Sequence, residues 1–203
     1  MNQPEFESQQ RAFPCLKSFQ KDEPIFFQNQ EFKGYYLIKS GLVKTSRLHE
    51  SGAKSILSFK IQGEYLGELA ETEQGKLHSY SATAVEDRTV VELIPWEDPN
   101  LTRLKRILEN LQSEIIQTRT RLERIIHQDS EARIRLTLKD LAIRLGRKFG
   151  SETLLKLPIT HEELATLTDT SRQTVTMVLS GLKAQNKITY SRGRFLIRNL
   201  DSL

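Results

Sequence analysis

Arg172 and Gln173 sit at the start of the run TDTSRQTVTMVLSGL, with Thr176 and Met177 one helical turn further on. A guanidinium can donate two parallel hydrogen bonds to guanine O6 and N7, and a carboxamide can pair with adenine N6 and N7. Methionine offers apolar contact alone, for instance to a thymine methyl. Val175, Leu179 and Leu182 recur at helical spacing and mark the face that turns toward a core. Positions 172, 173 and 176 therefore lie on the other side, near the helix N-terminus, the end that a recognition helix inserts into the major groove. Thr160, Thr170, Ser171 and Thr174 are short hydroxyls suited to phosphate oxygens. Lys183 and the YSRGRF segment, with Arg192 and Arg194 around a Gly193 turn, add cations for the DNA backbone. The chemistry expected of this segment is noncovalent reading of double-stranded DNA.

Other chemistries find little support. The segment THEELA has Ala165 where a zinc H-E-x-x-H motif needs histidine. No nucleophile triad, P-loop or dinucleotide fingerprint occurs. Cys15 is the one cysteine, which excludes an intrachain disulfide and a cysteine-only zinc site. No metal site and no enzymatic activity are expected. Charge is uneven: from Gln128 onward there are 13 Lys+Arg against 8 Asp+Glu, whereas residues 1–127 hold 17 against 18. The basic excess thus lies in the C-terminal third and implies an anionic partner there. No apolar run approaches the ~20 residues that span a bilayer, and no basic segment followed by an apolar stretch opens the chain. A cytoplasmic protein without membrane contact is expected.

The elements that must position these residues are legible as a change of period. Residues 1–23 are polar and unpatterned, a loose arm with a short helix at most. Residues 24–98 carry short β-branched and aromatic runs punctuated by glycines, the texture of an antiparallel sandwich or barrel. Over 99–127, Leu101, Leu104, Leu108, Leu111, Ile115, Thr118, Leu122 and Ile125 recur at alternating spacings of three and four. This narrow, 3.5-periodic stripe suits a parallel two-stranded coil between two copies better than packing on a sheet. Residues 128–203 begin with a helix carrying Ile134, Leu138, Leu141, Leu145 and Phe149, stopped by Gly150. SETLLKLPI reads as a short strand pair or an extended link. Thr160 to Glu163 form a capping box, Thr170 or Ser171 caps the next helix, and a hairpin follows. The fold class expected is α+β: a β-roll, a long dimerisation helix and a winged helix-turn-helix.

ITHEELATLTDTSRQTVTMVLSGLKAQNKIT resembles the C-terminal domain of Crp/Fnr transcription regulators, and YYLIKSGLVKTSRLHESGAKSILSFKIQGEYLGEL resembles their cyclic-nucleotide-type roll, or jelly roll. IIQTRTRLERIIHQDSEARI and SRQTVTMVLSGL are most similar to the cyanobacterial nitrogen-control regulator branch. The resemblance implies a homodimeric activator that contacts RNA polymerase, with an effector pocket at Gly67, Glu68, Leu69, His78, Ser79 and Glu114. The chain departs from the pattern there. His78 replaces the arginine that holds a cyclic phosphate in cyclic AMP-binding relatives. Glu114 stands where the nitrogen regulators place a second arginine for 2-oxoglutarate. Neither effector is expected, and haem on His49 or His78 is disfavoured, so no cofactor is assigned. Two readings stay open: a member that binds DNA without an effector, which the residues favour, and one with an unknown small ligand. A roll acting through protein partners is the alternative function. On the DNA side, relatives that read TGTGA-like half-sites use Arg, Glu and a second Arg. Here Arg172, Gln173 and Met177 imply a palindrome that keeps one guanine per half-site and otherwise differs.

Overall fold

The structure, a computed structural model, describes residues 15–67, 70–71, 76–96 and 100–203. In chain order the roll contains β1 (Cys15–Phe19), β2 (Pro24–Phe26), β3 (Gly34–Ser40), β4 (Leu42–Leu48), β5 (Lys54–Ile61), β6 (Tyr65–Leu66), β7 (Ala70–Glu71), β8 (Leu77–His78), β9 (Ser81–Ala84) and β10 (Thr89–Pro95). Then come α1 (Leu101–His127), α2 (Ser130–Leu145), β11 (Arg147–Phe149), β12 (Glu152–Lys156), α3 (His161–Thr168), α4 (Arg172–Ala184), β13 (Ile188–Ser191) and β14 (Arg194–Ile197). Two four-stranded antiparallel sheets, ordered β1-β10-β3-β6 and β2-β9-β4-β5, make the roll. Phe26, Tyr36, Ile38, Val43, Leu66, Ala82 and Val91 fill it.

β1 corrects the reading of residues 1–23 as an arm over Cys15–Phe19; residues 1–14 lie outside the described residues. Cys15–Phe19 pairs with β10 over five positions, from Cys15↔Leu93 to Phe19↔Thr89. Four of its five residues are exposed, so this edge strand has no apolar alternation to betray it. What holds it is the ladder together with one buried side chain, Phe19, in the roll core.

α1 runs 27 residues, about 40 Å at 1.5 Å per residue. The Asn100 side chain accepts from Arg103 N at its start. Its contact with the roll takes in only one residue of the stripe, Leu111. Ile107 is the buried anchor, packed with Tyr65 and Ile94, while Leu111 is half-buried beside them. Asn110 Oδ1 accepts from Tyr65 N at 3.2 Å, and Arg103 reaches the buried Glu92 at 3.0 Å. The stripe residues Leu104, Leu108, Ile115 and Leu122 are 49–55% exposed, and Leu101 is 79% exposed.

α2 ends at Leu145: Gly146 still donates its N–H to Ala142 O, but its extended backbone, ψ 155°, turns the chain out of the helix. Phe149, expected on this helix, is an exposed residue of β11. A Cβ at Gly146 would lie 2.3 Å from that carbonyl, a close approach that only glycine permits. SETLLKLPI is a strand: β12 joins the sheet β11-β12-β14-β13. Ile134, Leu138, Leu164, Val175, Leu179, Leu182 and Ile197 form the C-terminal core, which continues without a break into Leu42, Ile56 and Phe59 of the roll. Each such buried aliphatic side chain contributes roughly 2 kcal/mol.

Candidate nucleic-acid interface and sensor region

The two short helices and the hairpin set the interface. Thr160 caps α3: its hydroxyl accepts from Glu163 N, and Glu163 bonds back to Thr160 N at 2.9 Å. The same carboxylate accepts from Lys44 Nζ of the roll at 2.5 Å. Burial alone would raise the Glu163 carboxyl, but the bonds from Lys44 and Thr160 outweigh it and hold it below its usual value. One residue therefore closes the capping box and docks the domain. Asp169 turns the chain at φ 52°, and Ser171, rather than Thr170, caps α4 by accepting from Thr174 N.

On α4, Val175, Val178, Leu179 and Leu182 are buried, which leaves Ser171, Arg172, Gln173, Thr176, Met177 and Ser180 around one shallow concavity. Met177 is 68% exposed, an apolar side chain that the folded chain does not cover. Arg172 and Gln173 are exposed beside it. Ser180, missed in the sequence, lies on this face because it follows Thr176 by four residues, a helical spacing. Thr176 differs from expectation. Its hydroxyl donates to Arg172 O at 2.9 Å and meets His161 Nδ1 at 2.8 Å. With its single proton committed to the carbonyl, it must accept from His161, so it offers a base edge its methyl and a lone pair but no donor. His161, also missed, thereby supports the reading face from α3.

The hydroxyls proposed for phosphate contact are partly engaged. Thr160 Oγ1 lies 3.1 Å from Glu163 Oε2, and the Ser171 and Thr174 hydroxyls share a bond of 2.9 Å. Thr170 Oγ1 reaches Ser171 O at 3.3 Å. They shape the helix start, whose free amides still favour an anion. The wing is clearer. Gly193 takes φ +76° between exposed Arg192 and Arg194. Arg194 lies directly opposite exposed Lys156 in the β12–β14 ladder. Like charges facing across a ladder repel, and a phosphate placed between them would remove that cost. Lys183 lies with its ammonium 5.8 Å from the Tyr190 ring centroid.

Of the sensor residues, Glu68 and Leu69 lie outside the described residues. His78 is 1% exposed and stacks on Phe26 at 3.8 Å between ring centroids, with Phe32 at its edge. Among the described residues, neither ring nitrogen has a partner. A Cβ on Gly67 would lie 3.3 Å from the His78 ring, while Ser79 is half-buried. Desolvation lowers the His78 pKa to about 4, so the ring is neutral at pH 7. Glu114 is not the free repelling charge expected from the sequence: it forms an ion pair with Lys60, a lysine only 2% exposed on β5. Lys60 escaped notice because it sits within an otherwise ordinary strand run.

The buried imidazole predicts an acid-sensitive fold. A native pKa below the ordinary 6.5 means that the unfolded chain binds the proton first, so stability is full above pH ~6.5 and falls as pH drops through 4. In urea unfolding, native protein minus His78→Phe is expected to lose about 2–3 kcal/mol between pH 7 and pH 4.5. Equal acid losses in the two proteins would show that the ring is protonated in place.

A β-roll, a long helix and a winged helix-turn-helix with an exposed polar reading face define a two-domain transcription regulator. Comparison with known proteins makes the class specific. The cyclic nucleotide-binding domain family matches residues 16–98, and the Crp-like helix-turn-helix domain family matches residues 132–203. A cyclic AMP receptor protein of Thermus thermophilus is 31% identical over 196 residues, covering 94% of this chain and 84% of that one. The global nitrogen regulator of Synechocystis is 26% identical over 194 residues, covering 92% and 85%. A crystal structure of a CRP/FNR-family transcriptional regulator from Thermus thermophilus superimposes with a TM-score of 0.77 at 26% identity, covering 92% of this chain and 95% of the other. The chain belongs to the Crp/Fnr family of transcription regulators and carries that family's helix-turn-helix DNA-binding domain. Among the described residues no helix is long and apolar enough to cross a membrane.

Proposed function

We propose that this regulator is a cytoplasmic homodimer, not an enzyme, that reads a palindromic operator through α4 and answers to neither cyclic AMP nor 2-oxoglutarate. The observation that carries the reading is the face of α4: Arg172, Gln173 and Met177 are exposed together at its capped start, with Lys156, Arg192 and Arg194 exposed on the adjoining sheet. Base edges are read by the helix and phosphates by the wing. Pairing of two copies along the exposed stripe of α1 would hold two such faces about one DNA turn apart. Against cyclic AMP stands His78, a neutral ring sealed between aromatic side chains where a guanidinium fork would be needed. Against 2-oxoglutarate stands Glu114, a carboxylate already joined to Lys60.

Selection from random duplexes, followed by titration at several salt concentrations, tests this. Recovery of an inverted repeat with one guanine per half-site is expected, together with a steep decline of affinity with salt, several decades for ~6–10 phosphate contacts. Arg192→Ala and Arg194→Ala should each weaken every duplex similarly and reduce the salt slope by about 1. Recovery of unmodified TGTGA-N6-TCACA, or binding indifferent to salt, contradicts the proposal. Cyclic AMP or 2-oxoglutarate that shifted operator affinity would defeat its effector clause.

A further inference from the structure

Thr176 is exposed on the concavity of α4, one helical turn from Arg172 on one side and from Ser180 on the other. A hydroxyl has one proton and two lone pairs, and on a base edge it can serve amino and keto groups alike. The Thr176 hydroxyl has lost that freedom. Its oxygen stands 2.9 Å from Arg172 O on α4 and 2.8 Å from His161 Nδ1 on α3. Arg172 O can only accept, so the proton lies there and Nδ1–H donates to the oxygen. A proton turned instead toward a bare Nδ1 would be no more available to DNA. Nothing else among the described residues bonds this oxygen, which leaves one lone pair for a ligand.

The bond to Arg172 O does not fix the side chain by itself. A helical threonine can bond a carbonyl one turn back from either of two χ1 wells, which place oxygen and methyl differently. His161 decides between them, because a turn to the other well would take the oxygen out of contact with Nδ1. The imidazole is held from outside α4. It belongs to the first residue of α3, directly after the Thr160 cap, and its centroid lies 6.0 Å from the ring of Tyr190 on β13. Tyr190 in turn stacks on the buried Phe195 of β14. Two elements other than the reading helix thus set where the Thr176 oxygen points.

We infer that His161 is a positioning residue for base recognition: it holds the Thr176 oxygen as an acceptor, so the base that this oxygen meets must offer an amino group. In the major groove adenine N6 and cytosine N4 are donors, whereas guanine O6 and thymine O4 are acceptors. A keto oxygen facing Thr176 would meet a lone pair unless the hydroxyl gave up Arg172 O, so guanine and thymine lose by about one hydrogen bond. The bond to Arg172 uses its backbone carbonyl and leaves the guanidinium free for its own guanine. The inference rests on the operator reading and deepens it, adding a choice between amino and keto bases to the choices made by Arg172 and Gln173.

Base preference, read separately from total affinity, tests it. The position concerned is the one whose preference disappears when sites are selected with Thr176→Val. Native protein should prefer adenine or cytosine there over guanine or thymine by about fivefold. A base that lacks only the amino group, purine for adenine or 2-pyrimidinone for cytosine, should cost the native protein that same factor and Thr176→Val nothing. His161→Leu should reduce the preference to below about twofold, with the guanine selected by Arg172 and the salt slope unchanged. His161→Asn, whose carboxamide can return an N–H to the place of Nδ1, should restore it. A histidine that merely supported the fold would lower affinity for every duplex equally and leave the preference in His161→Leu, which would overturn the inference. So would a thymine at this position, chosen through methyl contact. If native protein selects no duplex, the operator reading falls and this inference with it. An operator whose recovered sequence is indifferent to Thr176→Val overturns this inference alone.

Discussion

Leu108→Glu and Ile115→Glu are each expected to leave a folded monomer in sedimentation equilibrium and to lower operator affinity by roughly a hundredfold or more. The size follows from linkage: joining two reading heads makes the second contact intramolecular, an advantage of about 10²–10⁴ that a monomer forfeits. The choice of residues follows from burial. Leu108 and Ile115 are 53% and 51% exposed in the single chain, so a charge there leaves the packing of one subunit alone. In a two-stranded coil, however, it places glutamates against each other in an apolar seam. Leu111, equally at a seam position by its spacing, is a poorer choice because it also packs beside Tyr65, Ile94 and Ile107. Ile107→Ala supplies the opposite control: a cavity under the helix, costing about 2–5 kcal/mol of stability with the seam left untouched. A dimer that persists in Leu108→Glu would reject the seam.

The contrast between Leu108 and Ile107 shows what the sequence could and could not reveal about this helix. The stripe of threes and fours was visible because it repeats strictly over many turns, as the proposed coil would require. Ile107 stands outside that period, and its role depends on Tyr65 and Ile94, which belong to the roll. The same division holds elsewhere. The capping box at Thr160 and Glu163, the buried face of α4 and the Gly193 turn are short-range devices, and local spacing displays them. The strand Cys15–Phe19, the ion pair of Lys60 with Glu114 and the link from His161 to Thr176 join residues distant in the chain. The sequence of either partner alone carries no mark of them. Phe149 illustrates a third case: an apolar residue in helical phase beyond Gly146, whose extended backbone has already ended the helix. Family resemblance pointed to the sensor residues. It could not show that the replacing histidine is stacked on Phe26.

Specificity should fail at a single base pair when Arg172 is removed. Arg172→Ala is expected to cost about 1–3 kcal/mol on the selected operator, between fivefold and more than a hundredfold in affinity. It should bring tolerance of any base at the guanine position and leave the salt slope unchanged. Arg172→Lys should recover only part of the loss, because an ammonium keeps the charge without the planar fork that engages O6 and N7 together. Gln173→Glu supplies the complementary test. A carboxylate accepts from cytosine N4 but cannot donate to adenine N7, so the preferred base pair next to that guanine should change while the guanine itself stays. The structure gives these substitutions a clean background: both side chains are exposed, neither caps α4, and the buried Val175, Leu179 and Leu182 hold the helix in place without them. A loss equal on operator and random duplex for Arg172→Ala would reduce this side chain to a phosphate anchor. Base reading would then have to come from Gln173, Met177 and Thr176, whose hydroxyl proton is already committed to the Arg172 carbonyl.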